Sequence, residues 1–406
     1  MKKNRVILHC DCNSFFASVE CTMRPELWNV PMAVAGNPEN RHGIILAKNN
    51  IAKKFGVVTA EAIWEAKRKC PDLVLVPPQY DKYQEFYEKI NQIYLDYTDL
   101  VEPFSIDESF LDVTGTLHLF KKTPKELADE IRARVEEELG ITVSIGVSFC
   151  KVFAKLGSDY KKPNATTVIF EEDVENIVYP LPIRSLFSVG KKSAEILNNR
   201  GIHTIGDLAD MPEDFLEKIL GKQGRTLYSY VHCLDDEPVR SFYDGNEAKS
   251  ISKGMTFKHD LIHHDEIKAG VNLLSDAVVE RLRADHKKAY TIQVTIKDAS
   301  FKTIQRQRKL DFPTRLNRQI SEVALELIEN NWEVGKRPIR LIAINCTELV
   351  PEDMEIFTQQ SLFEKIESVD NKKVEKIEDT MADIREKFGK DVIKFGYINP
   401  LNDKEK

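Results

Sequence analysis

The feature that most constrains this chain is a pair of adjacent carboxylates set between apolar runs, in the segment PFSIDESFLDVT at 103–114. Asp107 and Glu108 lie between Phe104/Ile106 and Phe110/Leu111, with the turn-former Pro103 before them and a strand-like run through Val113 after. Two acids side by side repel unless something positive or polar stands between them. Water serves at a surface; in a cleft a divalent cation serves. A second segment, RVILHCD at 5–11, has the contiguous Val6, Ile7 and Leu8 of a strand covered on both faces, and it ends on Asp11. The following CNSFFASVE turns into a helix that Asn13 or Ser14 is placed to cap. Asp11 can itself cap that helix. It can equally hold a cation while the helix-start N–H groups face a phosphate.

The order of elements decides whether these acids meet. Residues 24–79 form a module punctuated by Pro25, Pro31, Gly36 and Pro38, with an apolar strand at 44–47 and the lysines 48, 53 and 54. Those lysines meet phosphates or form a solvated face. A helix over 80–101 spaces Tyr80, Tyr83, Phe86, Tyr87, Tyr94 and Tyr97 as a core stripe. After the acid pair come a helix at 124–139 and a strand at 141–149 that alternates Ile141, Val143, Ile145 and Val147. The result is a ferredoxin-like βαββαβ order, an α/β (α+β) sandwich with one module inserted early. In that topology Asp11 and the Asp107/Glu108 pair meet at one edge of the sheet. Lys151 and Lys155 lie one helical turn apart, and Lys161 and Lys162 precede the Pro163-Asn164 turn. A lysine at a turn beside acids is a point-charge partner for a triphosphate.

A length of 406 residues allows two to four domains. The net charge of −7 argues mildly against nucleic acid, but the average hides a polarised chain. Segment 287–318 has nine basic and two acidic residues, whereas 351–406 has ten basic and fourteen acidic. Around Gly190-Lys191-Lys192, Gly201 and Gly206-Asp207 two short helices resemble a helix–hairpin–helix, which grips a DNA phosphate without reading sequence. Ser188 stands where that hairpin usually has a glycine. A polar linker near 240 leads to a second βαββαβ-like domain, where TIQRQRK at 303–309, with Lys302, Arg306 and Arg308, suits a phosphate backbone. In QQSLF at 359–363, Gln359, Leu362 and Phe363 form either a docking peptide or an ordinary tail segment. An amphipathic helix over 374–388 follows. Seven cysteines without a CxxC pair fit a reducing compartment rather than zinc or disulfides. With no membrane-length apolar run and no signal-peptide pattern, a cytoplasmic protein without membrane contact is expected.

Taken together, DCNSFFASVE (11–20), SIDESFLDVT (105–114), SIGVSFCKVFAKLGSDYKKP (144–163), the glycine turn near 190 and QQSLF resemble the Y-family translesion DNA polymerases of the bacterial polymerase IV kind. The resemblance implies a right-hand polymerase: palm at 1–23 and 80–168, fingers at 24–79, thumb at 169–240, little finger at 241–350 and a tail at 351–406. It also implies that Asp11, Asp107, Glu108 and the main-chain carbonyl of Cys12 hold two Mg²⁺ ions. Phe16 would be the steric gate against a ribose 2′-hydroxyl, with Phe15 beside it, and Lys162 the triphosphate lysine. Gln359, Leu362 and Phe363 would bind a sliding clamp, and primer–template DNA and deoxynucleoside triphosphates would be the substrates of a monomeric enzyme at the bacterial nucleoid. Asn50 and Lys53 stand where the family presents a tyrosine and an arginine to the triphosphate. Lysine lacks the bidentate fork of arginine. Cys150 replaces a common asparagine. The competing readings are a metal-dependent nuclease and a non-catalytic clamp-and-DNA adaptor. A nuclease needs neither Phe16 nor Lys162, and an adaptor does not need all three acids.

Overall fold

β1 (Ile7–Cys12) is buried at every residue, as its contiguous apolar run predicts for an inner strand. The computed structural model describes residues 5–36, 43–245, 247–354, 372–389 and 392–393. The chain divides into two compact units, 1–245 and 246–406. After β1 the first unit continues with α1 (Phe15–Met23), β2 (Met32–Ala35), β3 (Ile45–Lys48), α2 (Asn50–Lys54), α3 (Ile63–Lys69) and β4 (Val74–Val76). Then come α4 (Tyr80–Leu95), β5 (Val101–Pro103), β6 (Glu108–Asp112), α5 (Leu117–Phe120), α6 (Pro124–Leu139), β7 (Val143–Ser148), α7 (Lys151–Tyr160) and β8 (Thr166–Ile169). Four short helices close the unit: α8 (Lys191–Asn198), α9 (Ile205–Ala209), α10 (Glu213–Leu220) and α11 (Lys222–Val231).

Among the described residues the first unit has a five-stranded sheet in the order β5-β6-β1-β7-β8 and a three-stranded sheet β3-β2-β4. The larger sheet realises the expected βαββαβ order. On one face it packs Leu8, Leu111, Ile145 and Val147 with Tyr83, Ile90 and Tyr94 of α4 and Leu127, Ile131 and Val135 of α6. Each fully buried aliphatic side chain there contributes ~2 kcal/mol. Asp11 and Glu108 lie on the neighbouring inner strands β1 and β6, and Asp107 lies in the turn just before β6. Residues of the 24–79 module form a core of their own, including Ala33, Ile45, Val57 and Leu73. The outer face of α7 (Phe149, Phe153 and Leu156 with its approach) joins Leu197, Leu208, Leu216 and Leu227 in a third cluster.

Two details depart from expectation. The aromatic helix ends at Leu95, capped at Asp96, because Val101 is drawn into the sheet opposite Leu111. Neither Asn13 nor Ser14 caps α1 through its side chain; Ser14 has φ of 50° and makes no cap bond.

The second unit repeats the βαββαβ order: β9 (Ser250–Leu261), α12 (His264–Ala284), β10 (Lys287–Asp298), β11 (Thr303–Thr314), α13 (Asn317–Glu329) and β12 (Ile339–Pro351). Its antiparallel sheet runs β11-β10-β12-β9, and the core lies between it and α12 and α13, around Leu274, Val278, Ile292, Ile320 and Ile344. The final helix, α14 (Lys372–Phe388), docks by charge: Glu378, 3% exposed, meets Arg283, and Arg385 pairs with Asp276 at 2.9 Å.

Candidate active site

A tight hairpin presents the acids. The N–H groups of Phe104 and Ser105 both donate to the Glu108 carbonyl, at 2.8 and 3.1 Å, so the chain reverses over 104–107 and Glu108 opens β6. Asp11 stands directly opposite Glu108 in the β1–β6 ladder, and the Cys12 N–H donates to the Asp107 carbonyl at 2.9 Å. Backbone pairing thus brings together carboxylates that are far apart in sequence, and the Glu108 charge acts on Asp11.

Their charges are balanced by two lysines. Burial pushes the Asp11 carboxyl up to about 7; Lys162 opposes the rise and Glu108 adds to it. Lys162 Nζ donates to Asp11 Oδ2 at 2.6 Å and pairs with Asp159 at 2.8 Å. Lys155 Nζ reaches both Glu108 oxygens at 2.9 Å. The Asp107 carboxylate instead accepts from Ser105 Oγ at 2.6 Å. Among the described residues no three His, Cys, Asp or Glu side chains form a ready-made metal cluster. The structure therefore brings Asp11 and Glu108 together, and leaves Asp107 beside them with its carboxylate turned to its own loop. The donor set is nonetheless all hard oxygen, including a buried carboxylate at 6% exposure, which suits a hard cation such as Mg²⁺. The Cys12 thiol is not a competing ligand, since burial raises its pKa well above normal.

Glycine lets α7 come close enough to deliver these lysines. A Cβ on Gly146 of β7 would lie 1.8 Å from the Ala154 carbonyl oxygen and 2.5 Å from the Ser158 nitrogen. Behind Lys155, Ser158 Oγ donates to the Lys155 carbonyl at 2.8 Å and contacts His9 Nδ1 at 2.8 Å. Burial, with the Lys155 and Lys162 charges, pushes the His9 pKa well down, so the imidazole is neutral. The turn carrying Lys162 is tied to the end of β1: the Asn164 N–H donates to Asn13 Oδ1 at 2.8 Å, and Arg132 donates to the Asn164 carbonyl at 2.7 Å. Asn13, His9 and Ser158 were not legible as site-building residues, because each bond spans the fold. The KVFAK run that carries Lys155 was the available signal.

Phe16 is half-buried and stacks on Tyr83, ring centroids 4.2 Å apart at 13°, with Tyr80 edge-on at 6.1 Å. Phe15 is buried beside it at 5.8 Å. Asn50 and Lys53 are exposed on α2, whose cap is the buried Asn49 side chain. Gly190 is the N-cap of α8, and Lys191 and Lys192 are exposed in its first turn. Ser188 has φ of 69°, the left-handed region where glycine is favoured, and that is why a glycine is the usual residue there. Lys302 is exposed, whereas Arg306 and Arg308 bond Asn331 and Glu326, at 2.9 and 2.7 Å. Gln359, Leu362 and Phe363 lie outside the described residues.

Comparison with known proteins places this geometry in context. Residues 10–159 match the impB/mucB/samB family, and residues 248–362 match that family's C-terminal domain. The chain is 44% identical over 385 residues to a DNA polymerase IV of Acetivibrio thermocellus, covering 95% of each. It is 37% identical to a DNA polymerase IV of Bacillus velezensis, covering 98% of this chain and 94% of that one. Against DNA polymerase IV 1 of Bacillus subtilis it is 36% identical, covering 97% and 93%. Among solved structures, a Y-family DNA polymerase chimera superposes with a TM-score of 0.76 at 24% identity, over 85% of this chain and 99% of the other.

Proposed function

Because the chain belongs to the impB/mucB/samB family of Y-family DNA polymerases, of the bacterial DNA polymerase IV type, we propose how its own residues carry out that family's reaction. The protein is a DNA-directed DNA polymerase of translesion synthesis: error-prone, template-directed and metal-dependent, acting on primer–template DNA and deoxynucleoside triphosphates. The nuclease and adaptor readings are not favoured.

The observation that carries the assignment of roles is the facing of Asp11 and Glu108 across two inner strands, with Lys162 at their rim. Asp11, Asp107, Glu108 and the Cys12 carbonyl would hold two Mg²⁺ ions. When bound, those ions supply Lewis-acid activation of the primer 3′-hydroxyl and neutralise the triphosphate. To serve as a ligand, the Asp107 carboxylate would have to turn from the hydroxyl of Ser105. Lys162 moves from Asp11 to the triphosphate; its side chain is 29% exposed and has Asp159 as a second partner. The palm is 1–23 and 80–168, the fingers 24–79, the thumb 169–240 and the little finger 241–350. Gly190, Lys191 and Lys192 hold one DNA phosphate, and Lys302, Arg306 and Arg308 track another stretch of backbone. Segment 359–363 binds a sliding clamp, and the enzyme works as a monomer at the nucleoid. No helix among the described residues is long and apolar enough to cross a membrane.

Phe16 closes the sugar side of the nucleotide pocket because Tyr83 fixes its ring plane. Phe16→Ala is expected to raise ribonucleotide incorporation relative to deoxynucleotide by about tenfold to a hundredfold. Competing single-nucleotide insertions measure that ratio, and an unchanged ratio removes Phe16 from the role. Lys53 is exposed and lacks an arginine fork. Lys53→Ala is therefore expected to raise KM for the nucleotide about threefold, within the range of an exposed charge contact, with kcat kept. Loss of incorporation at saturating nucleotide contradicts that role. Primer extension with Mg²⁺ tests the whole reading: lengthening supports it, shortening indicates a nuclease, and retardation without chemistry an adaptor.

A further inference from the structure

We propose that Lys155 is a built-in counter-cation of the carboxylate pair, fixing Glu108 in place and competing with a divalent cation for it. The inference rests on the reading of Asp11, Asp107 and Glu108 as cation ligands. Lys155 is a positioning residue, and its role concerns how tightly the acids take a cation before any nucleotide arrives.

Lys155 and Lys162 are not equivalent. Lys162 is 29% exposed at its side chain and divides itself between Asp11 and Asp159. Lys155 is 15% exposed, reaches both oxygens of Glu108 at 2.9 Å, and has the Phe104 ring centroid 5.2 Å from its nitrogen. The aromatic face stabilises the ammonium on the side away from the acid. Its backbone is also pinned. The Ser158 hydroxyl proton goes to the Lys155 carbonyl, so the Ser158 oxygen accepts from His9 Nδ1–H. The other ring nitrogen, Nε2, is buried, makes no hydrogen bond and lies 3.9 Å from Glu108 Oε2. His9 thus braces Ser158, and Lys155 makes the direct hydrogen bonds to Glu108.

A fixed positive charge beside two acids has a definite consequence. It stabilises the carboxylate pair when no cation is present. It also repels an incoming dication, because a charge of +1 and a charge of +2 a few ångströms apart interact appreciably even in water. Lys162, more exposed and with Asp159 as a second partner, has another place to go; the Lys155 ammonium is held between Glu108 and the Phe104 ring. The cation site is thus tuned to bind weakly until triphosphate oxygens add their own negative charge.

The test is Mn²⁺ binding to the full-length protein, followed by electron paramagnetic resonance without DNA or nucleotide, together with thermal melting. Lys155→Met is expected to bind Mn²⁺ about tenfold more tightly than the unaltered protein. The same variant should melt lower without metal and recover most of the loss at saturating Mn²⁺, while Lys155→Arg behaves as the unaltered protein. A purely structural lysine would lower melting to the same extent with and without Mn²⁺. Should the methionine variant not fold, Lys155→Gln carries the same prediction. Equal or weaker Mn²⁺ affinity in the neutral variant overturns the inference. Asp11→Asn separates the two layers. If Mn²⁺ binding survives in it, the ligand reading falls and the inference with it; if binding is lost but Lys155→Met shows no tightening, only the inference falls.

Discussion

Asparagine in place of Asp11 will slow nucleotide incorporation by about a thousandfold or more, while the protein stays folded. The replacement keeps the shape of the side chain and removes its charge. In the fold that charge is costly: at 6% exposure, burial pushes the carboxyl up to about 7 despite Lys162. Removing it relieves a desolvation penalty and leaves Lys162 unpaired at Asp11. Lys162 has Asp159 at 2.8 Å and access to water, so its loss is small. Stability is therefore expected to change by less than about 1 kcal/mol, in contrast to the collapse of activity. Single-turnover insertion with Mg²⁺, set against the melting temperature of the same preparation, reads both. A variant that retains a tenth of the rate would show that Asp11 does not hold the cation. A variant that loses activity only because it unfolds would leave its melting curve as evidence.

Gly146→Ala is expected to destabilise the first unit by about 3 kcal/mol or more, at the upper end of overpacking costs. The reason is local. The added methyl would sit 1.8 Å from the Ala154 carbonyl oxygen and 2.5 Å from the Ser158 nitrogen, and both are backbone atoms that no rotamer change can move. Either α7 lifts from β7 or the strand bends. In both cases Lys155 and Lys162, which ride on α7 and the turn after it, leave the acids, so incorporation falls together with stability. Gly115→Ala is the control: its Cβ would meet nothing within 4 Å, and both properties should hold. Urea unfolding of the two variants measures the difference directly. Equal stability for Gly146→Ala and the unaltered protein would mean that α7 does not sit against β7 as described.

These two residues also show which parts of the fold could be read from the sequence. Asp11 was legible as an acid near the end of the strand announced by the contiguous run Val6–Leu8, with helix capping and cation binding both open as its role. The βαββαβ order followed from the spacing of such runs, and the order placed Asp11 opposite Glu108. Gly146 was not legible as a contact point: within the alternating strand VSIGVS it reads as a gap in a pattern, and only the approach of α7 gives it a purpose. Side-chain pairing was hidden for the same reason. Lys155 read as one of two lysines on a helix face, yet Lys151 goes to Glu102 and Lys155 to Glu108. Asp107 and Glu108 look alike in the sequence. The hairpin turn separates them, sending one carboxylate to Ser105 and the other to Lys155. The helix read over 374–388 was legible from its periodicity, and it runs from Lys372 to Phe388, but among its described side chains the buried one is Glu378, held by Arg283 from a distant helix. Periodicity cannot foresee a charged anchor. Ser188 departs from the usual glycine without breaking the turn, and takes the left-handed conformation itself at φ of 69°.

The most direct test is primer extension across a damaged template base with Mg²⁺ and the four deoxynucleotides, run beside Asp11→Asn and Asp107→Ala. The account predicts products that pass the lesion with the unaltered protein, and no lengthening with either variant. Undiminished extension by both variants, or a primer that shortens instead, would contradict it.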